Sequence, residues 1–340
     1  VATTFTYSDE ELSTTAAAYL TDERRGMQDR PHPFALDVLA NKQDESGGER
    51  VIIPWDVQRH SQTTEFVSGY ESANLSISPI SKPGSDGWWM AVRPIVISER
   101  DELINRGKHK VLDRLKRLVT DTDRGALDEF DRHLLQGGLA GYSDLNHLNG
   151  FDYTDGFLEE NAPGLQTNVV HGVSKGTYSA LPGFQNQIAD INGAFSTNGL
   201  PALHKICTQL REITDDPGKC MGYMSIDGAT NLKRATQEFE RYGEQGDPGR
   251  PILMFSGIKF KVTSFLPNSG ATTSTEKWSF LMLDHSSIKF RGQQGVVMSM
   301  TPFRDVGGGH IAKVAFLRTM GQLTVSYFGS TGVAFNGDAW

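Results

Sequence analysis

Between Ser98 and Gln136 the chain carries an apolar stripe at three- and four-residue spacing. It runs through Leu103, Ile104, Val111, Leu112, Leu115, Leu118 and Val119, and resumes with Ala126, Leu127, Phe130, Leu134 and Leu135. Nine acidic and nine basic residues fill the other positions. Ser98 is a capping residue with Asp101 three positions on, and Gly137-Gly138 supplies the stop. As one helix at 1.5 Å per residue the element is about 55 Å long. The cluster Asp121-Thr122-Asp123 leaves a break near Thr120–Arg124 as the alternative. Whatever the chain folds into must cover this stripe along its whole course.

The segment before the helix reads as extended. Val51-Ile52-Ile53 opens a strand, residues 74–78 alternate with period two, and Trp88 to Arg93 followed by Ile95-Val96-Ile97 returns. Roughly thirty polar residues lie between, against the about 15 that a loop in a compact domain normally reaches. Strand character and aromatic content favour a role in contact. Further upstream, Ser8-Asp9-Glu10-Glu11 starts a short helix carrying Leu12, Ala16 and Leu20. Pro31-His32-Pro33 ends its regularity, and residues 44–49 read as a loop. Residues 1–49 hold too little apolar material to fold alone, so they are expected to dock elsewhere.

After the helix, residues 138–180 are rich in Gly, Asn and Asp. A helix over 201–214, a strand over 222–226 and a helix over 229–242 follow. Strands are then expected at 251–255, 257–265, 278–283, 295–300, 310–318 and 321–328. Helices followed by strands, without βαβ alternation, give an α+β fold.

Composition narrows the function. With 340 residues, 38% hydrophobic and 22% charged, the chain is neither disordered nor a membrane bundle. The longest uncharged stretch, 319–337, contains Gln, Asn, Ser and Thr and is no transmembrane helix. No signal-peptide pattern opens the sequence. Two cysteines, Cys207 and Cys220, make neither a disulfide framework nor a thiolate metal cluster, which suits a reducing cytoplasm. The net charge of −8 is uneven: residues 1–49 carry −6, 137–249 carry −7 and 250–340 carry +5. Such asymmetry suits complementary surfaces on copies of one chain. No stretch combines dense Lys and Arg with aromatics as a tight nucleic-acid reader would.

Catalytic chemistry leaves no clear mark. The nine histidines fall at no metal-binding spacing. Gly307-Gly308-Gly309-His310 lacks the Lys-Ser/Thr of a phosphate loop and reads as a turn. Asp284-His285-Ser286 sets three triad residue types side by side, whereas triads assemble from distant segments, so it reads as a strand end. No catalytic residue, cofactor or metal is expected.

The order of elements carries the strongest signal. An acidic arm, a long two-stranded excursion and a long charged helix ending in Gly-Gly come first. Val170-His171-Gly172-Val173-Ser174-Lys175-Gly176-Thr177-Tyr178 and Phe184-Gln185-Asn186-Gln187 follow. The run Lys277 to Phe290, read as one strand, and the closing Leu317 to Ser326 complete the series. This order resembles the major capsid proteins of tailed bacteriophages with the HK97-type fold. Phe184 stands where that family places a Trp, which is a departure.

The resemblance implies an HK97-like capsid fold, divided into an N-terminal arm (1–49), an extended E-loop (50–97), and a spine helix of the peripheral domain (98–137). A mainly axial domain (138–249) and peripheral-domain strands returning to it (250–340) complete the division. It implies a non-enzymatic coat protein, made in the host bacterial cytoplasm and found in the virion, that assembles as hexamers and pentamers into an icosahedral head around double-stranded DNA. Expected partners are a portal, separate scaffolding and decoration proteins, and non-specifically the packaged DNA, with no membrane. The alternatives are an encapsulin-like nanocompartment shell and an unrecognised α+β hydrolase. Subunit contacts are expected from Trp55, Phe66, Tyr70, Lys82, Trp88, Trp89 and Arg93, with Lys82 the one lysine of 50–97 able to donate to a cross-link. Of the adjacent Trp88 and Trp89, alternation along a strand turns one inward and one outward.

Overall fold

The computed structural model describes residues 33–56, 81–98, 108–136, 150–151, 157–158, 165–178, 182–190, 195–214, 217–236, 253–266, 279–306 and 312–335. The strand expected at 74–78, the helix after Ser8, the glycines 307–309, and Phe66 and Tyr70 lie outside these residues.

The long apolar stripe forms helix α2 (Lys108–Gln136), preceded in the chain by a short helix α1 (Pro33–Ala40). Helix α2 runs without interruption through 120–124, so the alternative break does not occur. Its 29 described residues span about 43 Å. Leu115, Val119, Leu127, Phe130 and Leu134 are buried at near four-residue intervals. A sheet lies along that face.

This first sheet contains strands β1 (Lys42–Glu45), β4 (Trp89–Ser98), β12 (Ile288–Gln293), β13 (Ser299–Met300), β14 (Arg304–Asp305) and β15 (Ala312–Val325). Strand β15 is its axis: β12, β13, β14 and β4 all pair with it antiparallel, and β1 joins the edge parallel to β12. The two strands expected at 310–318 and 321–328 are this single strand of 14 residues, about 46 Å long. Gly321 continues it because a Cβ there would stand 2.4 Å from the Phe290 ring. The missing side chain serves close packing, not a turn.

The second sheet has the order β7 (Gln187–Asp190), β16 (Thr331–Phe335), β11 (Ser279–Asp284), β8 (Cys220–Met224), β10 (Ile258–Val262), β9 (Leu253–Phe255). Every residue of β11 is buried. Phe280 and Met282 enter a core with helix α3 (Leu200–Ile213) and helix α4 (Ile226–Thr236), while Leu281 and Leu283 enter the larger core shared with α1 and α2. Alternating positions thus feed two cores from one strand.

Three expectations are corrected here. Strands β8 and β10 are parallel neighbours with α4 between them in sequence, so one βαβ unit exists inside the α+β fold. The described part of the run, 279–290, belongs to two strands, β11 and β12, separated by the turn 285–287. Residues 33–45 do not stand apart: Phe34, Ala35 and Val38 are fully buried in the main core, and β1 pairs with β12. Pro33 opens α1 rather than ending regular structure, a position where its missing N–H costs nothing. Asp131 of α2 accepts the Ala35 N–H at 2.6 Å, so a carboxylate from another helix caps α1.

Candidate assembly surfaces

The described roots of the excursion are a pair of strands, β2 (Val51–Asp56) and β3 (Ser81–Asp86), joined antiparallel. Val51, Ile53 and Trp55 alternate into the core. Trp55 is 2% exposed. Its ring meets Phe184 and Phe328 edge-on at 5.2 and 5.3 Å, and its Nε1–H donates to the Val325 carbonyl at 3.2 Å. Trp55, expected at a contact with a neighbour, is enclosed within its own chain, where the indole anchors the loop.

A second anchor lies beside it. Strands β5 (Val169–Val170) and β6 (Val173–Ser174) flank His171, which sits at φ 53 in their tight turn. The His171 carbonyl accepts the Ser85 N–H at 3.0 Å, its Nδ1–H donates to the Asp86 carboxylate, and its Nε2 accepts the Val325 N–H at 3.4 Å. One buried imidazole thus ties β3 to β15.

Of the tryptophan pair, Trp89 is the inward one. It packs on Phe130 and His133 of α2, with ring centroids 6.1 and 6.4 Å apart. Trp88 is half-buried and turns away to donate its Nε1–H to the Gly48 carbonyl at 2.8 Å. Lys82 is exposed, with Nζ 5.8 Å from the Tyr178 ring centroid. Arg93 bridges β4 to α2, donating to Glu129 at 3.2 Å and to the Thr122 carbonyl at 3.4 Å. Its guanidinium lies over Gly125, where a Cβ would stand 1.9 Å from Nη1. That contact accounts for a glycine inside a long helix, and about a third of the Arg93 side chain stays exposed.

The surface that sequence reading missed is the outer face of the β4–β15 pair. Strand β4 shows Met90, Val92, Pro94 and Val96 outward, with exposures of 52, 49 and 50% for Met90, Val92 and Val96. Their register partners on β15 are Met320, Arg318, Phe316 and Val314. Seven of these eight side chains are apolar, and monomeric proteins seldom leave such a band uncovered. The signal was present in the sequence. In 89–97 both alternating sets are largely apolar, which a strand with one wet face does not require.

No relay of catalytic type forms at 284–286. The Ser286 hydroxyl donates to Asp284 at 2.6 Å, and His285 turns instead to the Tyr223 hydroxyl at 2.8 Å. Among the described residues no three His, Cys, Asp or Glu side chains gather as a metal would need.

Comparison with protein families and with curated proteins finds no match. Solved structures do match. The chain superposes on the cyanophage A-1(L) capsid asymmetric unit with a TM-score of 0.63, at 12% identity, over 89% of this chain and 92% of that one. The capsid of the native GTA particle gives 0.60 at 10% identity, over 89% and 91%. The capsid of cyanophage P-SCSP1u gives 0.52 at 13% identity, over 88% and 86%. The chain has a capsid fold. Coverage of about nine-tenths on both sides means that the likeness extends over most of the chain and is not confined to one shared motif.

Proposed function

We propose that this chain is the major capsid protein of a tailed phage, a coat subunit that builds a closed icosahedral head around double-stranded DNA. The observation that carries the reading is the capsid fold, shared over 89% of this chain and 92% of a cyanophage capsid chain. The exposed apolar band on β4 and β15 supports it, because a subunit that tiles a surface needs a dry face for its neighbours. Covering each of those half-exposed side chains contributes about 1–2 kcal/mol. The loop segment 50–97 carries four acidic and four basic residues, so no net charge keeps it from a second copy.

In this reading residues 50–97 are the extended loop, 98–137 the spine helix, 138–249 the mainly axial domain and 250–340 the peripheral strands. The arm proper narrows to residues before Pro33, since Phe34, Ala35 and Val38 enter the chain's own core and 42–45 pair at the edge of its first sheet. Phe66, Tyr70, Lys82 and Trp88 remain the proposed loop contacts, joined by Met90, Val92, Val96 and Phe316. Hexamers and pentamers, scaffolding, decoration and portal proteins, and loosely held DNA are the partners. The chain acts as a structural protein and not as an enzyme.

Electron microscopy of particles purified from cells producing the chain's full gene cluster tests this. Heads that protect genome-length DNA from nuclease are expected. Small shells enclosing protein without DNA would mean a nanocompartment, and the absence of any particle would reject the shell reading.

A further inference from the structure

Helix α1 is held on the second sheet by a chain of four polar groups. Asp37 of α1 accepts the Tyr223 hydroxyl at 2.6 Å and the Lys261 ammonium at 2.6 and 2.8 Å. The Tyr223 oxygen lies 2.8 Å from His285 Nε2. Beside these groups Phe34 meets the Tyr223 ring edge-on at 4.8 Å. A cleft of about 510 Å³ borders the chain, with Asp37, Ala40 and Asn41 on one wall and Lys219, His285 and Lys289 on the other.

The proton positions follow from counting donors. A phenol has one hydrogen, and at 2.6 Å from a carboxylate it goes to Asp37. The Tyr223 oxygen is then an acceptor, so His285 must donate from Nε2. In a neutral imidazole this leaves the lone pair on Nδ1, and that atom is buried with no hydrogen-bond partner. A second proton would have to settle there, in a site without an acceptor, with Lys261 behind it and Lys219 and Lys289 lining the adjoining cleft. The acids that could offset it are engaged. Asp37 is shared between Tyr223 and Lys261, Asp284 accepts the Ser286 N–H and hydroxyl, and Asp131, on the α2 side of Tyr223, caps α1.

We propose that Asp37, Tyr223, Lys261 and His285 form a proton-sensitive lock that seats the N-terminal helix α1 when His285 is neutral and releases it in acid. Burial is the chief influence holding the His285 basicity below its ordinary value of 6.5, opposed by Asp37, assisted by Lys261 and opposed by Asp284. When α1 leaves, one wall of the cleft goes with it, and His285 meets water and titrates normally. The seated state thus binds fewer protons than the released state, and its stability falls as pH drops below 6.5. Release of α1 would also free β1 from the edge of the first sheet, because only Asn41 separates them. The device belongs to the folded subunit and does not depend on the shell reading.

Hydrogen exchange of the full chain between pH 7.5 and 5, corrected for the chemical exchange rate at each pH, reads the lock directly. Amides of 34–45 are expected to lose about tenfold in protection per pH unit at most, while those of β8 and β11 keep theirs. His285→Gln retains an N–H donor for Tyr223 and cannot titrate, so its protection over 34–45 should stay flat. If that variant does not fold, nitrogen chemical shifts of labelled histidine in the native chain serve instead. They should show His285 as the Nε2–H tautomer at neutral pH, titrating in step with the loss of protection. Protection of 34–45 that is independent of pH, an equal loss in His285→Gln, or a His285 titration out of step with exchange would each overturn the lock.

Discussion

At the scale of single residues, the aromatic side chains of the loop roots divide by what they touch. Trp55 is enclosed by Phe184, Phe328 and His171, so Trp55→Ala should cost the subunit about 3–5 kcal/mol. Trp88→Ala removes one hydrogen bond at a half-buried site and should cost less than about 1.5 kcal/mol. Urea unfolding of the two variants under conditions that keep the chain unassembled would order them. The His133 imidazole under Trp89 adds a pH term. Burial holds its basicity below 6.5, Glu129 opposes and Arg132 assists, so the fold favours the neutral ring. Its contribution is complete above 6.5 and is lost as pH falls beneath that value, and His133→Gln should flatten that part of the stability–pH curve. Cys207 offers a third check. Burial pushes its thiol up to about 12, so a disulfide reagent at pH 8 should leave it unmodified until the chain is unfolded.

Among the elements, helix α2 was legible because one face carries a clean period, Leu115, Val119, Leu127 and Phe130, and strand β4 because 89–97 is a nearly continuous apolar run of strand-forming residues. Strand β1 was not. Lys42-Gln43-Asp44-Glu45 has no apolar residue and is a strand only because β12 offers backbone partners, reinforced by Arg291 on Glu45 at 2.9 Å. Helix α1 was lost in the polar average of its surroundings, although Phe34, Ala35 and Val38 are fully buried. The end of β11 was legible at Asp284-His285-Ser286, whereas β12 after it was absorbed into the run 277–290 because apolar residues flank the polar turn on both sides. As for the candidate surface, the loop aromatics were visible as a class, but which of them turns inward depends on packing partners up to 270 positions away. Gly125 carries an element-scale prediction. Gly125→Ala improves helix propensity by about 1 kcal/mol and displaces Arg93 from a bridge worth about as much. Stability should change little, and Arg93→Ala should then have no further effect in that background.

Among the described residues, two six-stranded sheets share one large core with the long helix, the loop root is fixed by buried contacts, and an apolar band is exposed on β4 and β15. In the proposed shell reading, a chain repeated many times gains through that band from even a modest contact at each copy. Trp55 and His171 fix the roots of the excursion by buried hydrogen bonds to β15. Sedimentation velocity of the native chain beside a Val92→Asp, Val96→Asp double variant tests this account most directly. Both positions face outward on β4, so circular dichroism of the variant should remain native. The native chain should sediment as closed shells and the variant as folded single subunits or small rings. Shells built equally well by the variant, or a native chain that stays monomeric at every concentration, would contradict it.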